Sequence, residues 1–476
     1  MRKFYLIISF VFLLPAFSMP DNIQSLDSLS ALLPKSKGVE KVAILVKLSE
    51  LNRTISFNDC KNYAEDAIDL AGKLHNDSLA GLASKSLGVS YYLHGDMTNG
   101  LKYFQQGYRF YKQLKYKKGI SNCLNNMGLV YEGWSQFDSA YKYYELSYEI
   151  EIELKNEEGM ATSLINIGNI NYYRKKYPEA LADFFQSLKY SSKLNDLDGM
   201  ATAYLSMGII YDQVQDFSKA IEFLAKSRDI YVKLGDRRNL SRSLNNMADI
   251  YNEHYKQYKK ALLLYEKVLQ IKTNFGSKVG VALVKNNLGV LYGHIGNLSR
   301  AETYFKESLS LYRSLKDKSG QCLVYFNWAL ALQKAGKHKS ALGNFQRSLS
   351  IAKEIGVNEY VTDSYQGLFK SYAALGEYAK FNKYYKLFES SRDSVNQKLQ
   401  QAQISKLENQ YKVKDLIKKG QELQQENLRE TVELRKLQLL LAVISFSLIV
   451  LALAVFLFWY IKKGRAEINQ NKDRET

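Results

Sequence analysis

The sequence predicts an all-α chain: a solenoid of about nine helical hairpins, then a long polar linker helix, then a single apolar helix. Three observations lead there. Only four prolines stand among 476 residues, so long helices are tolerated nearly everywhere. A recognisable block returns every 40 residues. Near the end, 25 consecutive positions, Leu437 to Ile461, carry no charge.

In chain order, Arg2 and Lys3 precede an apolar stretch from Phe4 to Phe17, with Ala16 and Ser18 as the small residues a signal peptidase reads. As a helix this stretch rises about 21 Å, short of a hydrocarbon core of roughly 30 Å. It is expected to be a signal peptide, 1–18, cut after Ser18 and followed by a lead-in over 19–40. No cysteine follows the cut, so a lipid anchor there has no support.

The repeat is clearest where LNNMGLVY, from Leu124 to Tyr131, is echoed by LINIGNIN from Leu164, YLSMGIIY from Tyr204, LNNMADIY from Leu244 and KNNLGVLY from Lys285. One column of this register holds mostly small residues: Leu48, Gly88, Gly128, Gly168, Gly208, Ala248, Gly289, Ala329 and Phe369. Sixteen or seventeen positions later stands a mostly large column: Ala64, Phe104, Tyr144, Phe184, Leu224, Tyr265, Phe305, Phe345 and Tyr385. Small facing large at helical spacing implies two helices packed closely in each unit. Between the columns, Gly95, Gly296 and Gly336 mark turns, and Phe137, Tyr177, Phe217, Tyr258 and Tyr378 open the second helix. Leu48 and Phe369 break the small column at either end, as terminal caps would.

Gly128, Tyr131, Phe137, Ala140 and Tyr144 resemble the small and aromatic anchors of the tetratricopeptide repeat, and the resemblance covers roughly Lys41 to Gln397. It implies a right-handed α-solenoid with a concave inner surface. The usual repeat is shorter and closes on a proline that these units lack. In that respect the chain is similar to the long-repeat subfamily of kinesin light chains and bacterial peptide-pheromone receptors, and longer helices are expected.

From 398 to 436 the composition shifts to Gln, Glu, Lys and Leu, a charged linker helix. Leu399, Val413 and Leu434 share one heptad phase while Leu407 and Leu428 need another, and Gly420 interrupts both. A homodimeric coiled coil and a lone connecting helix both remain open. The apolar run 437–461 ends in Trp459 and Tyr460, with Lys462, Lys463 and Arg465 beyond, and reads as a transmembrane helix with a cytoplasmic tail, 462–476. The expected localisation is a single-pass inner-membrane protein with its solenoid in the periplasm.

Catalytic chemistry finds no support. No phosphate loop, HExxH or GxSxG motif is present, and the five histidines are scattered. Cys60, Cys123 and Cys322 lie too far apart for zinc spacing, and Cys123 occupies a column otherwise held by Ser163, Ala203 and Ser243, so it reads as a packed small residue. Neither cofactor nor metal is expected. The formal charge of +18 is spread along the chain, and Tyr91, Tyr131, Tyr211, Tyr251, Tyr292 and Tyr372 form one column, which points to packing and away from nucleic acid.

Two positions before the small column stand Asn126, Asn166, Asn246, Asn287 and Asn327, with Asn125, Asn245 and Asn286 beside three of them. Asparagine is a poor helix former, so its recurrence needs a reason. The resemblance implies that these five residues face the groove and hold a peptide backbone. The alternative is a hydrogen-bonded ladder between hairpins with no ligand. Tyr172 and Tyr173 depart from the tyrosine column and are further groove candidates. The expected function is a protein- or peptide-binding module that passes a signal to a separate partner. An envelope scaffold, or the non-catalytic remnant of a sensor kinase, is the alternative, since export signal, repeat array, linker and membrane helix in this order resemble the sensor halves of Bacteroidetes-type membrane histidine kinases and regulators, here without an output domain.

Overall fold

The computed structural model describes residues 19–53 and 55–392, with side chains from 26 onward. Every regular element among them is helical. Helix α1 (Met19–Leu32) falls in the stretch that the sequence reading left as a lead-in, and a short 3-10 turn, Leu33–Lys35, joins it to the array.

Nine hairpins follow. They pair α2 (Gly38–Asn52) with α3 (Phe57–Lys73), α4 (Asp77–Leu93) with α5 (Met97–Gln113), and α6 (Lys117–Gly133) with α7 (Phe137–Glu153). Next come α8 (Glu157–Tyr173) with α9 (Tyr177–Lys193), α10 (Leu197–Gln213) with α11 (Phe217–Leu234), and α12 (Arg237–Glu253) with α13 (Tyr258–Asn274). Then α14 (Lys278–Ile295) pairs with α15 (Leu298–Ser314), α16 (Lys318–Lys334) with α17 (His338–Glu354), and α18 (Asn358–Ala374) with helical residues 378–392. Phe137, Tyr177, Phe217 and Tyr258 open second helices, as their spacing predicts.

Helix starts and stops have local causes. Asn76, Asp96, Asp196, Asp216, Asp236 and Asp317 each accept a backbone N–H three residues on, so one orphan donor per helix is satisfied. Between helices the backbone enters the left-handed region, at Gly95, Gly296 and Gly336 (φ 86°, 89° and 74°) and, against propensity, at Lys155 and Lys316 (φ 53° and 55°).

The small and large columns meet within each hairpin. A Cβ added at Gly128 would lie 2.5 Å from the Tyr144 ring, and one at Gly289 would lie 2.7 Å from Phe305. In the first hairpin the pair is exchanged, with Leu48 and Ala64 both fully buried. In the last, Phe369 and Tyr385 meet edge-on, 5.4 Å between ring centroids. The tyrosine column stacks on the second helix of its own hairpin, Tyr131 on Tyr143 at 5.1 Å and Tyr292 on Tyr304 at 5.5 Å.

Each hairpin packs on the next, and first helices also touch one another, α2 with α4, α8 with α10 and α14 with α16. No comparable contact joins successive second helices among the described residues. The first helices are therefore the more closely spaced, inner layer.

The expected localisation is corrected here. No helix of the described residues is long and apolar enough to cross a membrane. Each hairpin helix keeps a polar or charged side because it must bury one face against its neighbours and leave another to water. The signal peptide, linker, transmembrane and tail assignments, 1–18, 398–436, 437–461 and 462–476, lie outside the described residues.

Candidate interaction face of the inner helices

The asparagine column sits on the inner layer and forms bridges between hairpins. Asn166 on α8 donates from Nδ2 to Oδ1 of Asn125 on α6 at 2.7 Å. Asn287 on α14 donates to Asn245 on α12 at 3.4 Å, and Asn327 on α16 to Asn286 on α14 at 3.2 Å. These three follow one rule: a column residue reaches back to the residue preceding the column in the previous hairpin. Asn246 departs from it and donates to the carbonyl of Arg242, 3.0 Å away. Asn126 is half-buried and leaves the bridging to Asn125.

Nearer the C-terminal ends of the inner helices lies a second polar seam. Asp212 on α10 stands 3.8 Å from Nε2 of His254, and Asn252 on α12 is hydrogen-bonded to Nδ1 of His294 at 3.0 Å. Gln333 on α16 donates to the carbonyl of Gly367 and the hydroxyl of Ser371 on α18, at 2.9 and 2.8 Å. Three of the five histidines belong here, each resting on the aromatic residue that opens the preceding hairpin's second helix. His94 meets Phe57 at 4.8 Å, His254 stacks on Phe217 at 3.7 Å, and His294 meets Tyr258 at 6.2 Å.

Tyr173 takes the same place in hairpin four, stacked on Phe137 at 5.0 Å and edge-on to Tyr172 at 5.6 Å. Both tyrosines are half-buried, and burial raises their phenols well above the usual range. After burial, Glu132 and Tyr92 raise the Tyr173 phenol further while Arg242 lowers it. Glu132 is 4 % exposed and accepts a hydrogen bond from Tyr144 at 2.7 Å; burial pushes its carboxyl up to about 7.

Hairpin four departs most from the repeat rule. Where neighbours place a tyrosine, it has Asn171, which donates to Asp183 at 2.7 Å in the position of the stacked ring. Burial raises the Asp183 carboxyl to about 7. Along this stretch the buried Oδ1 of Asn166, Nδ2 of Asn169 and Oγ of Ser206 have no hydrogen-bond partner. The sequence reading singled out Asn166, Tyr172 and Tyr173; it missed Asn169, Ser206 and Arg242, which lie outside the asparagine column.

The cysteines offer no nucleophile: all three are buried, and burial pushes the Cys123 thiol up to about 12. Among the described residues no group of His, Cys, Asp and Glu is arranged to hold a metal ion.

A family model described as tetratricopeptide repeat matches residues 159–233, 200–274, 239–314 and 280–354. Among solved structures, the apo form of the quorum sensor NprR from B. thuringiensis is similar at 13% identity and a TM-score of 0.56, covering 78% of this chain and 99% of that one. A Rap protein complexed with competence and sporulation factor is similar at 12% identity and a TM-score of 0.50, covering 71% of this chain and 99% of that one. At such identities the likeness concerns the fold. No curated protein matches the chain in sequence. The family match makes residues 159–354 a tetratricopeptide-repeat array, and the same hairpin geometry continues on both sides of it.

Proposed function

We propose that the chain is a binding module that holds a peptide or an extended segment of a partner protein against its inner helices and passes occupancy to a separate protein. The observation that carries this reading is that the half-buried Tyr172 and Tyr173, the first groups a ligand would reach in hairpin four, share the inner layer with buried polar atoms that have no partner, Asn166 Oδ1, Asn169 Nδ2 and Ser206 Oγ. A buried polar group without a partner costs about 1–3 kcal/mol. A peptide main chain offers both donors and acceptors, so it can satisfy an amide oxygen, an amide nitrogen and a hydroxyl together. The solenoid similarity to NprR and to a Rap protein supports an interaction role at the level of fold.

The asparagine bridges leave the column a structural role as well, so the Asn126, Asn166, Asn246, Asn287 and Asn327 set divides. Asn166 is fully buried in the ladder, so the half-buried Asn126, Asn246, Asn287 and Asn327 are the members we assign to ligand contact.

The test is to pan a displayed random-peptide library against the full-length chain and measure enriched peptides by calorimetry. Tyr173→Ala and Asn169→Ala should each weaken binding at least ten-fold while the helical signal and melting midpoint change little. Failure to enrich any peptide, or affinities indifferent to both substitutions, would leave the array a scaffold.

A further inference from the structure

The two helices of each hairpin run antiparallel, so every turn from a second helix to the next first helix lies on one edge of the array. Two consecutive turns of that edge, α11 to α12 and α13 to α14, combine exposed apolar side chains with cations, and the next, α15 to α16, adds cations alone. Phe275 and Val279 flank the left-handed Gly276 and are 52% and 42% exposed, and Val232 and Leu234 in the turn before are 55% and 42% exposed. Around them stand Lys233, Arg237, Arg238, Lys278, Arg313 and Lys316, all exposed. The acidic residues of these turns, Asp236 and Asp317, are committed to helix caps, accepting from the backbone N–H of Asn239 at 3.0 Å and of Gly320 at 2.9 Å.

Part of this pattern has a local cause. An apolar residue at a helix C-terminus packs within the turn, and a basic residue there favours the helix dipole. That accounts for Leu234 and Lys233. It does not account for the exposed Val279 and Arg237, which stand in the first turns of the following helices, where the dipole disfavours a cation. Positive charge is also in excess: Lys272, at the end of α13, has its ammonium pKa lowered by burial and then by the neighbouring charges of Arg242 and Arg238.

We propose that this edge, from Val232 to Lys318, docks an acidic segment of a protein partner that carries bulky apolar side chains. The charge excess selects an anion, and the apolar side chains select among anions. A polynucleotide would leave Phe275, Val279 and Val232 uncovered, whereas protein interfaces pair apolar and aromatic contacts with arginine. The edge is distinct from the inner face, so the two readings fail separately.

The experiment titrates full-length protein into two fluorescent peptides of equal length, one of Glu alone and one of Glu interspersed with Phe and Leu, and follows anisotropy at low and physiological salt. The mixed peptide should bind at least ten-fold more tightly than the all-Glu peptide and weaken with salt. The Phe275→Ser/Val279→Ser variant and, separately, Arg238→Gln should each lose at least five-fold. Ile295→Ser, an equally exposed apolar change on the opposite edge, should lose nothing. Circular dichroism establishes that each variant is folded, and the exposed Arg238→Gln keeps the test open if the apolar pair unfolds. Equal affinity for the two peptides, variants that bind as the parent does, or the same residues instead governing co-sedimentation with phosphatidylglycerol vesicles or retention of duplex DNA would overturn the proposal.

Discussion

Asn166 donates its side-chain amide to Oδ1 of Asn125, one hairpin earlier, across 2.7 Å. The bond joins two inner helices, and Asn166 is fully buried. Asn166→Ala therefore removes a donor and leaves the Asn125 oxygen short of a partner, a loss of about 1–3 kcal/mol. In a double-mutant cycle with Asn125→Ala, urea denaturation should give a coupling of about 1 kcal/mol. Additive losses would mean that the bridge does not hold the hairpins together.

Gly128→Ala probes the closeness of the two layers. The new Cβ would meet the Tyr144 ring at 2.5 Å, and that ring is anchored through its hydroxyl to Glu132. The cost should be about 1–3 kcal/mol, the usual penalty of overpacking. Hairpin six carries Ala248 opposite Tyr265, but there the hydroxyl is anchored on Asp249, 2.5 Å away, so the ring is held differently. Tyr144→Leu, the residue that hairpin five uses as Leu224, should recover part of the loss in the Gly128→Ala background.

Glu132 makes stability depend on pH in a defined direction. Its carboxyl titrates near 7 when folded and, in the unfolded chain, near the ordinary glutamate value of about 4.3. Between those values the folded state holds the extra proton, so stability is greatest below the unfolded pKa and falls as pH rises toward 7. The full effect is on the order of 3 kcal/mol. Asp183 acts with the same sign. Melting followed from pH 5 to pH 8 should show the parent losing stability, and Glu132→Gln should flatten the profile in part. An unchanged slope would mean that Glu132 is solvated.

Turn residues with positive φ offer a gain. Lys316 sits at φ 55°, where a side chain costs roughly 1–2 kcal/mol that glycine avoids, offset in part by the greater freedom of glycine when unfolded. Lys316→Gly should raise the denaturation midpoint by the equivalent of about 0.5–1 kcal/mol, and Gly296→Ala, at φ 89°, should lower it by a similar amount. Opposite signs at the two positions are the prediction; equal signs would contradict it.

How much of this was legible in the sequence follows from what each signal consists of. The Gly128 and Tyr144 columns were legible because a Cβ has no room at one and a large ring fills the other, so composition is restricted repeat after repeat. The turns at Gly95, Gly296 and Gly336 were legible for the same reason, whereas Lys155 and Lys316 adopt the same backbone without advertising it. The polar seam was not legible: Glu132, Asp212, Asn252 and Gln333 share a location but not a residue type, and their partners follow no single spacing, Tyr144 in the same hairpin for Glu132 and His254, His294 and Ser371 roughly one repeat on for the others. The histidines seemed scattered because only the fold shows that His94, His254 and His294 rest on Phe57, Phe217 and Tyr258. A further small position, near the start of the first helix, was not legible. Gly119 lies under Tyr111 of the preceding hairpin, where a Cβ would come within 2.5 Å of the ring, and Gly320 lies under Tyr312 in the same way.

The central claim is that the inner helices of hairpins four to six receive a ligand. Amide hydrogen exchange of the full-length chain, with and without a saturating selected peptide, tests it most directly. The account predicts added protection concentrated in α8, α10 and α12, strongest around Asn169 and Tyr173, with α9, α11 and α13 little changed. Protection confined to the second helices, or spread evenly over all hairpins, would contradict it.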